Sequence, residues 1–303
     1  MAALTLSLHL IFCGASLLLL AIALRKLRGA TLAAPILWSM GAVSSIAIAE
    51  VVLFFPPMPG VTSWQSLVRY AAGTLTLLPV ISVLGAKRPQ ALVWNYIVAS
   101  LWVVLLLPAA EVLLLKPQQA FEIYAFGPWM IAGLIFLTAI HYAATRMTGV
   151  GLLAAAAQVL YLGPHLPLSP LTESAPLRVV ASALLLGAAG WGAFGAVRRG
   201  EENLDRVWTR FQCGYGTAWS LRILQRLDEL HVRNGWVVRL GFYGVESTDP
   251  SASPEKVEQS RRALARAFRS LMLRFLSPEQ LEPFSAVELG RKCPAPVSTR
   301  GEA

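Results

Sequence analysis

The sequence contains an uninterrupted apolar segment between residues 91 and 115, which reads ALVWNYIVASLWVVLLLPAAEVLLL. Across these 25 residues the segment has one acidic residue, Glu111, and no lysine, arginine or histidine. About 20 apolar residues in a helix cross the roughly 30 Å hydrocarbon layer of a bilayer. Because lipid offers no water to unpaired backbone groups, a spanning segment of this kind must be helical. The segment therefore predicts a transmembrane helix.

Six further apolar runs lie on either side of this segment, within the first 200 residues. In chain order the seven predicted spans are residues 3–24, 31–54, 66–85, 91–115, 125–144, 147–163 and 177–197. The run at 147–163 is the weakest of them because it is short and contains Gln158. The predicted fold class is therefore an all-α polytopic membrane protein with about seven transmembrane helices.

Charged residues are concentrated at the C-terminal end of the chain. Overall 14% of the residues are charged and 55% are hydrophobic, whereas about 25% of the residues of a soluble domain are charged. Only four of the 17 acidic residues precede residue 201. The sequence therefore predicts a seven-helix transmembrane domain at residues 1–199, a small, mainly α-helical domain with one short strand at 200–289, called the C-terminal domain below, and a disordered segment at 290–303.

Basic residues beside the apolar runs predict the orientation, because cytoplasmic loops carry an excess of lysine and arginine. With the N-terminus outside, eight of these residues face the cytoplasm, namely Arg25, Lys26, Arg28, Lys87, Arg88, Arg146, Arg198 and Arg199. Three face outward, namely Arg69, Lys116 and Arg178. No charged residue precedes the first run, which disfavours a cleaved signal peptide. We therefore expect a bacterial inner-membrane protein with a cytoplasmic C-terminal domain, whose net charge of +9 serves orientation in the lipid bilayer and not nucleic-acid binding.

Two amphipathic helices are predicted in the C-terminal domain. The first follows Asn203, a helix-capping residue, and ends at Asn234-Gly235, a common signal at a helix C-terminus. The second begins at Ser253-Pro254, an N-cap followed by proline, and runs to about Phe275.

Shorter elements are predicted around these two helices. Residues 236–243 alternate large apolar side chains, which predicts a strand without a visible partner, and residues 246–252 predict a polar loop. A last short helix is predicted from Ser277 to Phe284, because Ser277-x-x-Gln280 resembles a capping box.

Basic residues on these helices form a candidate surface for a cytoplasmic protein partner. The surface comprises Arg222, Arg226, Arg262, Arg266 and Arg269, together with Trp236 at the start of the predicted strand. An alternative is that the helix from Pro254 lies on the anionic inner leaflet of the membrane. Packing of its apolar stripe against the preceding helix is favoured, because the two helices carry matching stripes.

Three charged residues are predicted to lie at one depth near the outer ends of their spans. Glu50, Arg69 and Glu111 each lie about four residues from the end of a run, which is roughly 6 Å along a helix. Charged groups inside a membrane usually face the bundle interior and pair there. We expect an ion pair between Glu50 and Arg69, with Glu111 as a second acceptor. The alternatives are side chains that reach the interface, or a pair that only fixes helix register.

The motifs of common catalytic and cofactor sites are absent from the sequence. The three cysteines form no C-x-x-C pair, and no two of the four histidines share a helix at metal-binding spacing. There is no nucleophile elbow, zinc-protease motif or phosphate-binding loop. Gly214-Tyr215-Gly216 is interpreted as a bend or a close helix contact. We therefore assign no catalytic residue, no metal ligand and no cofactor.

Two sequence patterns carry a resemblance to a family. The first is Leu67-Val68-Arg69-Tyr70, continued by Leu78-Pro79, by Val83-Leu84-Gly85-Ala86-Lys87-Arg88-Pro89 and by Trp94. The second is Trp219-x-x-Arg222, Gln225-Arg226 and Gly235-Trp236-x-x-Arg239-Leu240-x-x-x-Gly244. In these patterns the chain resembles an uncharacterised family of bacterial multi-spanning membrane proteins, which implies the fold and brings no activity. Its plan also resembles the sensor halves of bacterial membrane kinases, although the chain has no kinase motif.

Three classes of function fit these features. The favoured hypothesis is a non-enzymatic scaffold or sensor whose C-terminal domain binds a cytoplasmic partner. The first alternative is a small-solute transporter or permease-like carrier, which needs polar groups along a path. The second is a membrane enzyme acting on a lipid-linked substrate at the outer interface, which needs Glu50, Arg69 and Glu111 in one cleft. The sequence leaves the oligomeric state open.

Overall fold

The computed structural model describes residues 2–27, 29–56, 58–88, 90–124, 126–195, 204–276 and 281. Within them the first part of the chain forms α1 (Ala2–Lys26), α2 (Ala33–Val52), α3 (Trp64–Leu75), α4 (Leu78–Leu84), α5 (Ala91–Leu115), α6 (Phe126–His141), α7 (Thr148–Leu162) and α8 (Ala175–Gly195). The C-terminal domain forms α9 (Leu204–Asn234), β1 (Val238–Gly241), β2 (Gly244–Ser247) and α10 (Pro254–Met272). The prediction of a predominantly helical chain is confirmed, and each apolar run contains one helix, or two in the third run.

Among the described residues, five helical segments are long and apolar enough to cross a membrane. They are Ala3–Lys26, Ala33–Phe54, Trp64–Leu84, Leu92–Leu115 and Ala175–Phe194. α6 and α7 have 16 and 15 residues, fewer than the about 20 residues that cross a hydrocarbon layer comfortably. Large apolar side chains such as Leu107 and Leu114 on α5 are exposed, as a surface in contact with lipid requires. The fold is that of a predominantly helical protein with five helices of membrane length.

The C-terminal domain packs against one end of the bundle, where α4 and α6 contact α9. We call this the proximal end; it contains the last residues of α1 and α4 and the first residues of α7. The opposite, distal end contains Glu50, the start of α3 and the start of α8. Within the bundle, α8 packs against α1 and α7, and α2 packs against α1, α3 and α4.

The third span is interrupted near its middle, between Leu75 and Leu78. Pro79 at the start of α4 has no backbone N–H, so a regular helix cannot continue through it without losing a hydrogen bond. The amides of Thr76 and Leu77 instead bond to carbonyls three residues back, at 3.0 and 3.2 Å. The Thr76 carbonyl oxygen accepts a hydrogen bond from Gln158 Nε2 on α7, at 2.7 Å. The interruption is therefore stabilised by the polar residue of the weakest predicted run.

The C-terminal domain and the proximal end of the bundle share one hydrophobic core. Large side chains from α9 and α10 fill it, including Trp208, Phe211 and Phe268, each at most 4% exposed. The bundle contributes Leu32 and Val83 to the same cluster. The apolar stripe of α10 is thus buried inside the protein, and the prediction that it packs against the preceding helix is confirmed.

A two-stranded antiparallel hairpin joins α9 to α10, and this corrects the prediction of a single unpaired strand. Val238 pairs with Ser247 and Gly241 pairs with Gly244, so Phe242 and Tyr243 form a two-residue turn. The second strand takes the first residues of the predicted polar loop. It was missed because Gly244–Ser247 is short and has no buried residue, which leaves no apolar alternation in the sequence.

The predicted helix ends of the C-terminal domain are largely confirmed. Gly235 has a φ of +60°, and the amide of Trp236 bonds to the His231 carbonyl at 3.2 Å, which is the hydrogen bond of a Schellman cap. Ser253 caps α10 by accepting a hydrogen bond from the Lys256 amide at 3.4 Å. α10 ends at Met272, three residues before the predicted end. Three predictions lie outside the described residues: the cap Asn203, the disordered segment 290–303 and the last short helix, of which only Leu281 is described.

Candidate functional site

Four charged side chains from three parts of the bundle meet at the distal end. Glu50 Oε1 on α2 lies 2.9 Å from Arg178 Nε on α8 and 3.8 Å from Arg69 Nε on α3. Arg69 Nη1 also lies 2.5 Å from Glu173 Oε2, just before α8. The side chains of Glu50, Arg69 and Arg178 are between 12% and 15% exposed. We call these four residues the distal ion-pair network.

The distal ion-pair network holds three helices together at no net formal charge. Two carboxylates face two guanidinium groups, so each charge that leaves water has an opposite charge beside it. Removing one partner of a buried pair leaves an uncompensated charge, which costs far more than the pair contributes. The network therefore fixes the relative positions of α2, α3 and α8.

Glu111 belongs to a different contact, which corrects the predicted cluster of three. Its carboxylate pairs with Lys116 Nζ at 2.6 Å and accepts a hydrogen bond from the Tyr124 hydroxyl. The position of Glu111 in its apolar run predicts its depth but not the face of α5 on which it lies. Glu173 and Arg178 were missed as network members, although Arg178 follows the start of an apolar run, as an intramembrane partner should.

Buried polar groups continue from the distal ion-pair network towards the middle of the bundle. A ring nitrogen of His9, Nδ1, lies 3.1 Å from Ser182 Oγ, which donates to the Arg178 carbonyl at 3.1 Å. Tyr161 on α7 is 6% exposed, and among the described residues its hydroxyl has no hydrogen-bond partner. Gln158 lies one helical turn nearer the proximal end.

A cavity of about 590 Å³ occupies the proximal half of the bundle. Its walls come from α1, α2, α4, α6, α7 and α8, and also from α9 and the residues that end α10. On α9 the lining residues include Val207, Phe211 and Gly214, and Met272 and Leu276 follow from the other side of the C-terminal domain. Helices of the bundle and the C-terminal domain thus line the cavity together.

A minority of the lining residues are polar, and four of these lie at the two ends of the cavity. At the inner end, near the middle of the bundle, lie Thr76 and Gln158. Gln158 is 3% exposed, and within the described part of the chain its Oε1 has no hydrogen-bond partner. At the proximal end lie two cations, Lys26 on α1 and Arg210 on α9. Most of the wall between them is aliphatic, so the cavity suits an apolar or amphipathic molecule better than a polar solute.

Hydrogen bonds connect the C-terminal domain to the bundle beside this cavity. The Thr31 amide donates to the Phe275 carbonyl at 3.0 Å, and Thr31 Oγ1 donates to the Ala86 carbonyl at 2.8 Å. Tyr215 Oη lies 3.1 Å from Thr31 Oγ1 and donates to the Phe275 carbonyl at 3.2 Å. Burial raises the pKa of the Tyr215 hydroxyl, so it remains a donor at all physiological pH values. We call this group of contacts the docking seam.

Two further hydrogen bonds extend the docking seam. Trp219 Nε1 donates to the Val83 carbonyl at 3.0 Å, which satisfies one of the last carbonyls of α4. The Arg88 amide donates to the Arg274 carbonyl at 2.8 Å. The C-terminal domain is therefore part of the folded body and not a freely tethered module, because the hydrogen bonds of the docking seam and a shared apolar core join it to the bundle.

Gly214 and Gly216 allow α9 to lie directly on the bundle. A Cβ at Gly214 would lie 2.7 Å from Leu32 Cδ1, and a Cβ at Gly216 would lie 2.3 Å from His141 Nε2. Gly216 also has φ +72° and ψ −174° inside α9, a conformation that is essentially restricted to glycine. The interpretation of this glycine pair as a bend and a close helix contact is confirmed.

The predicted basic surface of the C-terminal domain is divided between two helices. Arg222 and Arg226 lie exposed on α9, where Arg222 stacks on Trp219 at 4.8 Å and Arg226 pairs with Glu229 at 2.5 Å. Arg262 pairs with Glu258 at 2.9 Å.

The other predicted members of that surface differ in exposure. Arg266 is exposed on α10, while Arg269 is half-buried beside Leu204 and Val207. Trp236 is half-buried against the shared core, so it serves packing first. The structure gives no contact that joins the arginines of α9 to those of α10 in the described ranges.

Comparisons with known proteins give no family for this chain: no family model, no curated protein and no solved structure matches it. Among the described residues there is also no group of three or more His, Cys, Asp or Glu side chains that could hold a metal ion. The candidate site therefore consists of the cavity, with its two cations and its glutamine, and of the docking seam beside it.

Proposed function

We propose that this protein is a non-enzymatic sensor of the bacterial inner membrane, in which a molecule bound in the cavity controls the C-terminal domain and thereby its binding to a cytoplasmic protein. One observation carries the proposal: α9 of the C-terminal domain forms part of the cavity wall. A molecule in the cavity touches membrane helices and α9 at once. Such a molecule binds the docked arrangement better than an undocked one, which is the condition for shifting an equilibrium between them.

Seven spans with the N-terminus outside are part of this proposal. α7 is followed directly by a 3-10 turn at Gly163–His165, which lengthens its helical run towards the distal end. If α6 and α7 instead formed a re-entrant pair, five spans would remain, and an odd number of spans still places the two termini on opposite sides. The excess of basic residues at the proximal end supports a cytoplasmic C-terminal domain.

The route from cavity to partner surface runs along α9. Its first half lines the cavity, and its second half carries Arg222 and Arg226 on an exposed face. Gly216 lies between the two halves, where the helix bends. A change in how the first half packs on the cavity therefore changes the direction of the second half, which presents the basic side chains to a partner.

A small-solute carrier is the second candidate, favoured by the interrupted third span beside Gln158. Interrupted helices at mid-membrane are common in transporters. A carrier must also open its distal side, where the ion-pair network and Tyr161 now close it. An enzyme at the outer interface is less well supported, because the carboxylates of Glu50 and Glu173 are engaged with arginines and Glu111 lies in another contact.

The sensor proposal is tested by filling the cavity and comparing a matched variant. Gly192 lines the cavity, whereas Gly133 on α6 does not, and a Cβ at either position meets no atom within 4 Å. Gly192→Trp should remove the effect of added lipid extract on hydrogen exchange of residues 204–216 in detergent-solubilised protein, while Gly133→Trp should retain it. An equal lipid response in both variants and the wild type would contradict the proposal.

Thiol labelling separates the sensor from the carrier. In a variant without Cys13, Cys213 and Cys293, a carrier with Tyr161→Cys should react with a membrane-impermeant thiol reagent added from the N-terminal side of the membrane. A sensor keeps the distal end closed, so labelling should stay at the level of the cysteine-free background. Labelling that rises with cavity occupancy would favour the carrier.

A further inference from the structure

The charged groups that line the cavity all have one sign and lie at one end. Lys26 and Arg210 are the charged residues in its lining, and both are cations. Lys26 Nζ lies 5.6 Å from the centre of the Phe194 ring, and this cation–π contact orients the ammonium group at the end of α1. A molecule that fills the cavity therefore meets positive charge at its proximal end.

The apolar part of the cavity has nearly the depth of one membrane leaflet. Lining residues extend from Pro35 to Val43 on α2 and from Val150 to Gln158 on α7. Eight residues along a helix correspond to about 12 Å, and half of a hydrocarbon layer is about 15 Å. An acyl chain with its headgroup at the proximal end fits this depth, and its end would lie beside Thr76 and Gln158.

An apolar chain is a favourable occupant of this cavity, because aliphatic walls gain packing contacts from an aliphatic ligand. Water is a poor occupant, since most of the wall offers no hydrogen bonds. The surrounding leaflet supplies apolar chains at high local concentration. The positive charge at the proximal end and the aliphatic walls of the cavity then favour molecules of that leaflet that have an anionic headgroup and an apolar chain.

From this arrangement we infer that the ligand of the proposed sensor is an anionic membrane lipid, with an acyl chain in the cavity and its phosphate beside Lys26 and Arg210. The inference rests on the proposed function and names its ligand class. Lys26 belongs to the bundle and Arg210 to the C-terminal domain, so one phosphate interacts with both. The fraction of anionic lipid in the cytoplasmic leaflet then sets how firmly α9 docks, which makes the protein a sensor of membrane charge.

The headgroup assignment is tested with lipids of identical chains. Native mass spectrometry of the full-length protein in detergent should show dioleoyl phosphatidylglycerol binding at least tenfold more tightly than dioleoyl phosphatidylcholine. Lys26→Gln should reduce this preference to threefold or less, and Lys26→Arg should keep it. Arg25→Gln is the matched control, because Arg25 is exposed beside Lys26 at the end of α1 and does not line the cavity.

The outcomes distinguish the ligand class from the sensor function. No preference for phosphatidylglycerol in the wild type, or equal effects of Lys26→Gln and Arg25→Gln, would overturn the anionic-lipid inference. Oleate that displaces phosphatidylglycerol at equal concentration would also overturn it, in favour of a free fatty acid. If Gly192→Trp abolishes the lipid effect on α9 while Lys26→Gln changes no preference, the sensor stands and the ligand class is wrong. If Gly192→Trp changes neither the binding of the two lipids nor the effect of lipid on hydrogen exchange of α9, both proposals fail.

Discussion

The two halves of the bundle differ in how the space between their helices is filled. In the distal half the side chains fill the space between helices: a Cβ at Gly73 would lie 2.6 Å from Leu162 Cδ2, and four charges pair around Glu50. In the proximal half a cavity of about 590 Å³ lies between the helices. The helices of the bundle fill the distal half by themselves, whereas in the proximal half the C-terminal domain supplies part of the cavity wall.

This difference separates the part that maintains the fold from the part that can respond. Well-packed interiors have few alternative arrangements, because any shift creates voids or clashes. A domain that lines a cavity and is held by the docking seam can change position when the molecule in the cavity changes. We therefore expect substitutions in the distal half to affect the stability of the whole protein, and substitutions at the docking seam to affect the C-terminal domain first.

Glu50→Gln should have the largest effect. It removes the negative charge that faces Arg178 and Arg69, and breaking a buried ion pair on one side costs about 3–5 kcal/mol. We expect a strongly reduced folded yield, measured by size-exclusion chromatography in detergent. Glu111→Gln is the control: its partner Lys116 is 47% exposed, and exposed pairs contribute about 1 kcal/mol or less. Equal yields of the two variants would show that the distal ion-pair network stabilises the fold no more than an exposed pair does.

Gly216→Ala should rank next and should act on the C-terminal domain. The added Cβ would lie 2.3 Å from His141 Nε2 at a backbone conformation that disfavours any side chain, with an expected cost of about 2–4 kcal/mol. Limited proteolysis should then cleave within residues 204–276 while the bundle stays protected. Gly235→Ala shares the positive φ but has open space around its Cβ, so it should cost only about 1–2 kcal/mol. A more damaging Gly235→Ala would contradict the docking role of Gly216.

His165 at the distal end should make the stability of the protein depend on pH. Burial lowers the pKa of His165 to about 4, where its ring lies 5.1 Å from Tyr70 and 5.4 Å from Phe121. The neutral ring is thus favoured in the folded state, so its contribution is complete above the unfolded pKa of about 6.5 and decreases as the pH falls towards 4.

Between pH 7 and pH 5, wild-type unfolding free energy should fall by about 2 kcal/mol more than that of His165→Phe. Thermal unfolding in detergent at the two pH values measures the difference. Parallel pH dependence of the two proteins would show that the ring is hydrated in the folded state.

Tyr215→Phe should have the smallest effect. It removes the hydroxyl that joins Thr31 to the Phe275 carbonyl but keeps the ring, whose centre lies 4.7 Å from that of Phe211. The remaining bonds of Thr31 stay in place, so the expected loss is about 1 kcal/mol. Hydrogen exchange should accelerate in residues 204–234 and remain unchanged in α3 and α8. Acceleration throughout the bundle would mean that the seam and the distal half unfold as one unit.

The candidate site could be predicted from the sequence only in part. Glu50 and Arg69 were placed at one depth by their distance from the ends of the apolar runs, and the Gly214–Gly216 pair was interpreted as a close contact. Position along a helix does not determine which face a residue occupies relative to its neighbours. For that reason Glu111 was grouped with the wrong partners, and Arg178 was left at the interface. The cavity had no sequence signal, because the residues around it are the same Ala, Gly, Val and Leu that fill packed regions.

What the sequence determined by itself is the set of helices, their apolar character and the charge bias at their ends, because these depend on local composition and on the cost of placing backbone and charge in lipid. The tertiary structure decided the partners of Glu50 and the union of α9 with the bundle, and it stabilises the interruption that Pro79 introduces at Thr76. Most of the contacts involved join residues far apart in the sequence, such as Gln158 with Thr76 and Trp219 with Val83. Only the folded chain brings such residues within hydrogen-bond distance.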